Sequence, residues 1–281
     1  MLFFIYILFA GMFRDVSALK CYKCDANRVD FWIGVDNVPP FFDDCPVVES
    51  EKQCFASIRW LTIGDLKESL VEYEDDSSEE YRPTDSTLSY VFADVERNTE
   101  SASSRILLYS CTTDLCNDRT NLLRVFQALN VEQKFAQLDV LFGLDNVSFT
   151  EQNSCLDFSN VSRSDCPSTA IPLSTCSNCF LLATETPQQL CARCPVDSFK
   201  YKNMINRQVF FFLENRTRLA DTTTLRCTTK SCNSMENWNR IRELSTLEFD
   251  FNRFYSSSSS TIFHSTFILS FNVFLLLTYL F

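Results

Sequence analysis

Apolar and polar positions along this chain fall into short runs with two different periods. The stretch C-F-A-S-I-R-W-L-T-I (Cys54 to Ile63) is apolar and rich in β-formers, as are L-S-Y-V-F-A-D-V (Leu88 to Val95), I-L-L-Y-S-C (Ile106 to Cys111) and Q-V-F-F-F-L (Gln208 to Leu213). Acidic, serine-rich segments separate them, so each run predicts a short strand. From about Thr120 to Phe142 the period changes: Leu122, Phe126, Leu129, Ala136 and Val140 recur at helical spacing, and Gly143 offers a stop. A shorter helix is predicted from near Glu236, presenting Trp238, Ile241 and Leu244. The expected order is therefore strands then a helix, twice over.

The two ends of the chain have a different character. Residues 1–18 hold an apolar run from Leu2 to Phe13, a polar step at Arg14 and Asp15, and small residues before a cleavage point after Ala18. That run is shorter than the ~20 residues a membrane span needs and reads as a secretory signal. At the other end, Ser256 to Ser260 precede an apolar tail, 261–281, with no Lys or Arg after Arg253. Small residues, a polar spacer and a terminal apolar tail read as a glycosylphosphatidylinositol signal, with attachment expected at Ser257. Removing both ends leaves roughly 240 residues, enough for two small domains.

The chain repeats itself. C-T-T-D-L-C-N (Cys111 to Asn117) returns as C-T-T-K-S-C-N (Cys227 to Asn233), with Asn121 and Arg124 in step with Asn237 and Arg240 behind it. Upstream, V-F-A-D-V-E-R-N-T (Val91 to Thr99) resembles V-F-F-F-L-E-N-R-T (Val209 to Thr217), which marks a duplicated unit. The 14 cysteines divide into six up to Cys116 and eight from Cys155, each an even set. In an exported chain this implies disulfides rather than free thiols. Cys176, Cys179, Cys191 and Cys194 also have the spacing of a four-thiolate zinc site, a reading disfavoured outside the cell. Asn146, Asn160 and Asn215 head sequons and are candidate glycosylation sites.

L-K-C-Y-K-C (Leu19 to Cys24), C-F-A-S-I from Cys54 and the Cys-x4-Cys-Asn loops together resemble the three-finger domain of the urokinase-receptor and lymphocyte-antigen family. The resemblance implies a mostly β, small, disulfide-rich chain of two tandem three-finger-like domains joined by a helical linker. By it, residues 19–117 form the first domain, 118–149 the linker, 150–233 a divergent second domain, and 234–260 a helix and serine-rich stalk. It implies the pairs Cys21–Cys54, Cys24–Cys45, Cys111–Cys116 and Cys227–Cys232, with Asn117 and Asn233 closing the two domains. The second domain departs from the pattern by lacking Cys-x-x-Cys at its start. Its six other cysteines allow 15 pairings, among which the sequence does not choose.

Composition narrows the chemistry. The net charge of −11 argues against nucleic acid as a partner. The single histidine, His264, lies in the tail, which removes imidazole-based catalysis and histidine metal sites from the rest. No catalytic residue, metal or cofactor is therefore expected. The acidic run Asp65 to Tyr81 reads as a solvated loop at a finger tip, able to steer a basic partner. Phe31, Trp32, Phe41 and Phe42 are candidates for a contact patch on the first finger. The resulting expectation is a non-enzymatic, lipid-anchored protein on the extracellular face of the cell membrane. It would recognise an extracellular protein ligand, or modulate a membrane receptor or channel. The alternatives are a secreted or membrane-anchored hydrolase using carboxylates, and a single-span receptor ectodomain.

Overall fold

The computed structural model describes residues 18–39, 44–75, 88–98, 102–142, 155–162, 166, 176, 178–185, 188–194 and 203–256. The chain is mostly β and disulfide-rich. Its first half supplies β1 (Leu19–Tyr22), β2 (Cys24–Val29), β3 (Val47–Ser50), β4 (Cys54–Ile63), β5 (Leu66–Glu74), β6 (Tyr90–Asn98) and β7 (Ala102–Cys111). After the first clasp come helix α1 (Arg119–Ala128), β8 (Leu129–Gln133) and a 3-10 helix (Phe135–Phe142). The second half supplies β9 (Phe158–Ser159), β10 (Cys179–Thr184), β11 (Gln189–Arg193), β12 (Met204–Phe212) and β13 (Thr217–Cys227). Helix α2 (Met235–Glu243) and β14 (Ser245–Phe249) follow the second clasp.

One ten-stranded antiparallel sheet runs through both halves in the order β2-β5-β4-β7-β6-β12-β13-β10-β11-β9. The seam is β6 against β12, paired over the full nine residues from Asn98↔Met204 to Tyr90↔Phe212. In the register Asp94 faces Gln208; Asp94 also lies opposite Ile106 of β7, and Gln208 opposite Thr222 of β13. Ile106 and Thr222 stand at the same distance before their respective clasps, so Gln208 is the counterpart of Asp94 and the sequence match of Val91–Thr99 with Val209–Thr217 is four residues out of step with the strands. The two copies therefore meet across a local two-fold. They point in opposite directions, because Tyr90 at the base of the first unit meets Phe212 beside the 213–216 turn of the second.

The helical reading of Thr120 to Phe142 ends early. α1 stops at Ala128, and Leu129-Asn130-Val131-Glu132-Gln133 changes to a two-residue period and forms β8. β8 pairs with β14 in a separate two-stranded ribbon, with Val131 opposite Leu247. Lys134 N donates to Leu244 O at 2.8 Å and Asp250 N to Ala128 O at 2.8 Å, matched bonds at the two ends of the ribbon. The connection therefore packs on the sheet rather than holding two bodies apart.

Alternation along the strands gives the sheet two faces. Ala56, Ile58, Val91, Ala93, Leu107, Leu181, Ile205 and Leu225 belong to the main core, with Leu122 and Val125 of α1 and Ile241 of α2. Phe55, Tyr90, Phe92, Leu108 and Phe212 form a smaller aromatic cluster on the opposite face. Both helices begin in the same way. Asp118 caps α1 by accepting from Asn121 N at 2.7 Å, and Ser234 caps α2 by accepting from Asn237 N at 3.2 Å. No helix among the described residues is long and apolar enough to cross a membrane.

Candidate functional site

The two repeated loops are disulfide turns, Cys111–Cys116 and Cys227–Cys232, and each passes through a positive φ just before its second cysteine, 54° at Leu115 and 52° at Ser231. The asparagine that follows is fully buried in both cases. Asn117 Oδ1 accepts from Tyr22 N at 3.0 Å, while Nδ2 donates to Tyr22 O at 2.8 Å and to Phe55 O at 2.9 Å. Asn233 repeats this with Leu156 N (2.9 Å), Leu156 O (2.9 Å) and Phe180 O (3.1 Å). Behind each clasp, Asn121 Nδ2 and Asn237 Nδ2 donate to Cys116 O and Cys232 O at 3.0 and 2.8 Å, fixing the following helix to it.

Cys21 is bonded to Cys54 and Cys24 to Cys45. In the second half, where the sequence leaves the choice open, the pairs are Cys155–Cys179, Cys166–Cys191 and Cys176–Cys194. The four cysteines with zinc spacing are thus all in disulfides. Cys155–Cys179 is the counterpart of Cys21–Cys54, because Cys54 lies opposite Cys111 and Cys179 opposite Cys227.

Asn215 is exposed on the β12–β13 turn. Asn160 is exposed as well, but its side chain is engaged: Nδ2 donates to Gln188 O at 3.1 Å and Oδ1 accepts from Leu190 N at 2.7 Å. Asn146 and Ser257 lie outside the described residues, as do Phe41 and Phe42.

The acidic run divides. From Leu66 to Glu74 it is β5, a strand and not a loop, with Ser69, Val71 and Tyr73 facing the core and Glu68, Leu70, Glu72 and Glu74 on the other face. The glutamates therefore run back from the finger tip toward the base. Burial is the main cause that raises Glu74 to about 7, reinforced by its hydrogen bond with Glu72 and that residue's charge. Arg28 pairs with Glu68 at 3.5 Å. Residues 76–81 lie outside the described residues.

Of the seven large apolar side chains exposed among the described residues, four lie on the β4–β5 hairpin and the 31–38 segment, and Val47, Val140 and Leu219 lie elsewhere. β4 and β5 are joined by Gly64-Asp65, where Gly64 takes φ 60°, the left-handed conformation that a two-residue hairpin turn requires at its first position. The turn sets Ile63 (58% exposed) opposite Leu66 (51% exposed). Beside it runs the 31–38 segment, with Phe31 and Val35 also exposed. This segment is strapped down: Ile33 N donates to Ser69 Oγ at 3.0 Å, Trp60 Nε1 to Ile33 O at 2.8 Å, and Arg119 Nη2 to Val38 O at 2.9 Å. Trp32, half-buried, lies under Lys67 Nζ, 5.3 Å from its ring centre. Of the aromatic patch expected from the sequence, Phe31 is thus surface and Trp32 largely packing. Ile63, Val35 and Leu66 fall outside that expected patch, although I-G-D-L is a hairpin-turn signature with apolar flanks.

Among the described residues no cluster of acidic, cysteine or histidine side chains has the arrangement of a metal site. The buried and half-buried charges that do cluster are cross-braces. Arg207 forms a two-pronged pair with Asp221 at 2.9 and 2.7 Å and reaches Ser245 Oγ at 2.9 Å, joining β12, β13 and β14. Arg97 holds Asp139 of the 3-10 helix at 2.7 and 2.6 Å. No family model matches the chain, and a comparison with curated proteins finds no match.

Proposed function

We propose that this chain is a non-enzymatic protein of the cell's outer surface, a divergent double member of the urokinase-receptor and lymphocyte-antigen type. It is exported by its leader, held by a glycosylphosphatidylinositol anchor at Ser257, and glycosylated at Asn215. It recognises an extracellular protein, or a membrane receptor or channel, through the end of its first two fingers. The observation that carries this reading is the exposed apolar group Phe31, Val35, Ile63 and Leu66, borne on a hairpin and a strapped segment. Exposed apolar residues gathered at one end of a rigid sheet are the usual mark of a docking surface. The two units point in opposite directions, so contact is made by one finger end and not by two acting side by side.

The test uses the full chain on intact cells. A phosphatidylinositol-specific phospholipase is expected to release it into the medium; retention on the cell overturns the anchor. Proximity labelling with the wild type and with an Ile63→Ser/Leu66→Ser variant is expected to mark a surface protein that only the wild type finds. Recovery of the same neighbours by both overturns the finger-end site, provided surface levels and melting temperatures are equal.

A further inference from the structure

Between the 31–38 segment, the sheet and the β8 ribbon lies a cavity of about 210 Å³. Its floor is Ala93 and Leu107, and its walls include Ile33, Trp60, Phe126 and Val131. Trp60 and Phe126 meet edge to face with centroids 5.8 Å apart. Val35, at 40% exposure, stands at the mouth. An apolar cavity of ~150 Å³ accommodates benzene, so this one has room for a ring and a short arm.

One end of the cavity is not apolar. Trp32 and Arg105 line it, with the guanidinium 4.9 Å from the Trp32 ring centre. Trp32 Nε1 and Arg105 Nε are both out of contact with water and lack a hydrogen-bond partner among the described residues. No carboxylate among the described residues pairs with Arg105 or with Lys67 at the rim. Burial lowers the Arg105 pKa, with no offsetting acid among the described residues. Asp94 also borders the cavity, but alternation turns its side chain to the opposite face of the sheet, where it accepts from Asn206 Nδ2 at 2.6 Å. In a chain of net charge −11 a half-buried cation with no carboxylate partner among the described residues is an unusual arrangement. Such groups are costly unless something pairs with them.

We propose that this cavity binds a small apolar acid, a single aromatic ring or a hydrocarbon body of similar size bearing one carboxylate. The carboxylate lies against the Arg105 guanidinium, and the body lies between Trp60, Phe126 and Leu107. The site requires only the folded chain, and of the finger-end residues it shares Val35 alone.

Phenylacetate is the probe, titrated into the full chain as exported by cells and followed by calorimetry and indole fluorescence at low ionic strength. Saturable binding at one site is expected, with the uncharged isostere phenylacetamide about tenfold weaker because it forgoes the charge-assisted bonds. Arg105→Met is expected to weaken phenylacetate about tenfold while leaving phenylacetamide unchanged. Arg105→Gln, which keeps a polar side chain and removes the charge, is expected to weaken the acid several-fold and decides the matter if Arg105→Met does not fold. The proposal is overturned if acid and amide bind alike or if neither saturates below roughly 10 mM. It is also overturned if the folded variants bind phenylacetate as the wild type does.

Discussion

Asn117 and Asn233 commit both amide donors and the carbonyl oxygen to backbone from other strands, and so close each unit with one residue. Removing such a side chain leaves three backbone groups unpaired in the interior, at ~1–3 kcal/mol for each. Asp94 has the opposite character. It is buried at the seam between the halves, and desolvation, with the Glu96 charge behind it, raises its pKa from 3.8 to about 7 against the bonds from Gln208 and Asn206 and the Arg59 charge. The folded state thus holds the Asp94 proton more tightly than the unfolded chain does. The stability this contributes is complete below about pH 4 and is lost as pH rises through about 7. At ~1.4 kcal/mol per pKa unit the loss is on the order of 4 kcal/mol. Asp94→Asn is expected to be the more stable protein at pH 8, with the difference vanishing toward pH 4. Urea unfolding across that range checks it; parallel curves for wild type and variant at every pH would refute it.

At the scale of elements, what can be read from the sequence depends on whether the deciding interaction is local. β4, β6, β7 and β12 are visible as apolar, β-rich runs because each is buried on at least one face over most of its length. The turn from α1 into β8 is not. Leu129 keeps helical spacing with Leu122 and Phe126, and only pairing with a strand beyond the second clasp makes the chain extend there. β5 is hidden for a related reason: its charges suggest a solvated loop, while Ser69, Val71 and Tyr73 between them are core. The finger-end residues Ile63 and Leu66 are masked by the same run, since Asp65 reads as its start. The ribbon is the element on which both halves depend. Leu247 is 1% exposed and faces Val131 beside the main core. Leu247→Ala is expected to cost ~2–5 kcal/mol, against less than ~0.5 for the exposed neighbour in Glu248→Ala. Hydrogen exchange should then quicken in β4 and β7 as well as in β10 and β13. Loosening confined to the second half would show that the ribbon does not serve both.

The duplicated chain is folded as a dimer of itself, and the differences between its copies make that pairing specific. Unit against unit, β6 presents Val91, Ala93 and Val95 on the core face of the sheet and Phe92 and Asp94 on the other, and β12 meets it with Phe210 opposite Phe92 and Gln208 opposite Asp94. Two copies of the first unit joined the same way would set Asp94 against Asp94, a repulsive pair in a buried position. Gln208 instead donates to the carboxylate, so the second copy is the better partner. Other ties cross the same boundary. Ser89 N donates to Glu214 Oε1 at 2.8 Å and Leu213 N to Ser89 O at 3.0 Å. Thr228 Oγ1 and Asn203 Nδ2 both donate to Phe142 O, at 2.6 and 3.1 Å, and so hold the 3-10 helix of the first half to the second. With a nine-residue seam, a shared core and a shared ribbon, neither half has a complete set of partners without the other. The full chain is therefore expected to unfold in a single calorimetric transition, with calorimetric and van't Hoff enthalpies in agreement. Two resolved transitions would mean that the halves are independent domains in spite of the continuous sheet. Residues 19–142 expressed alone would uncover the β6 edge with its apolar core face, and are expected to be retained in the cell or to associate. Secretion of that fragment as a stable monomer would establish the same independence of the halves as two transitions, by a separate route.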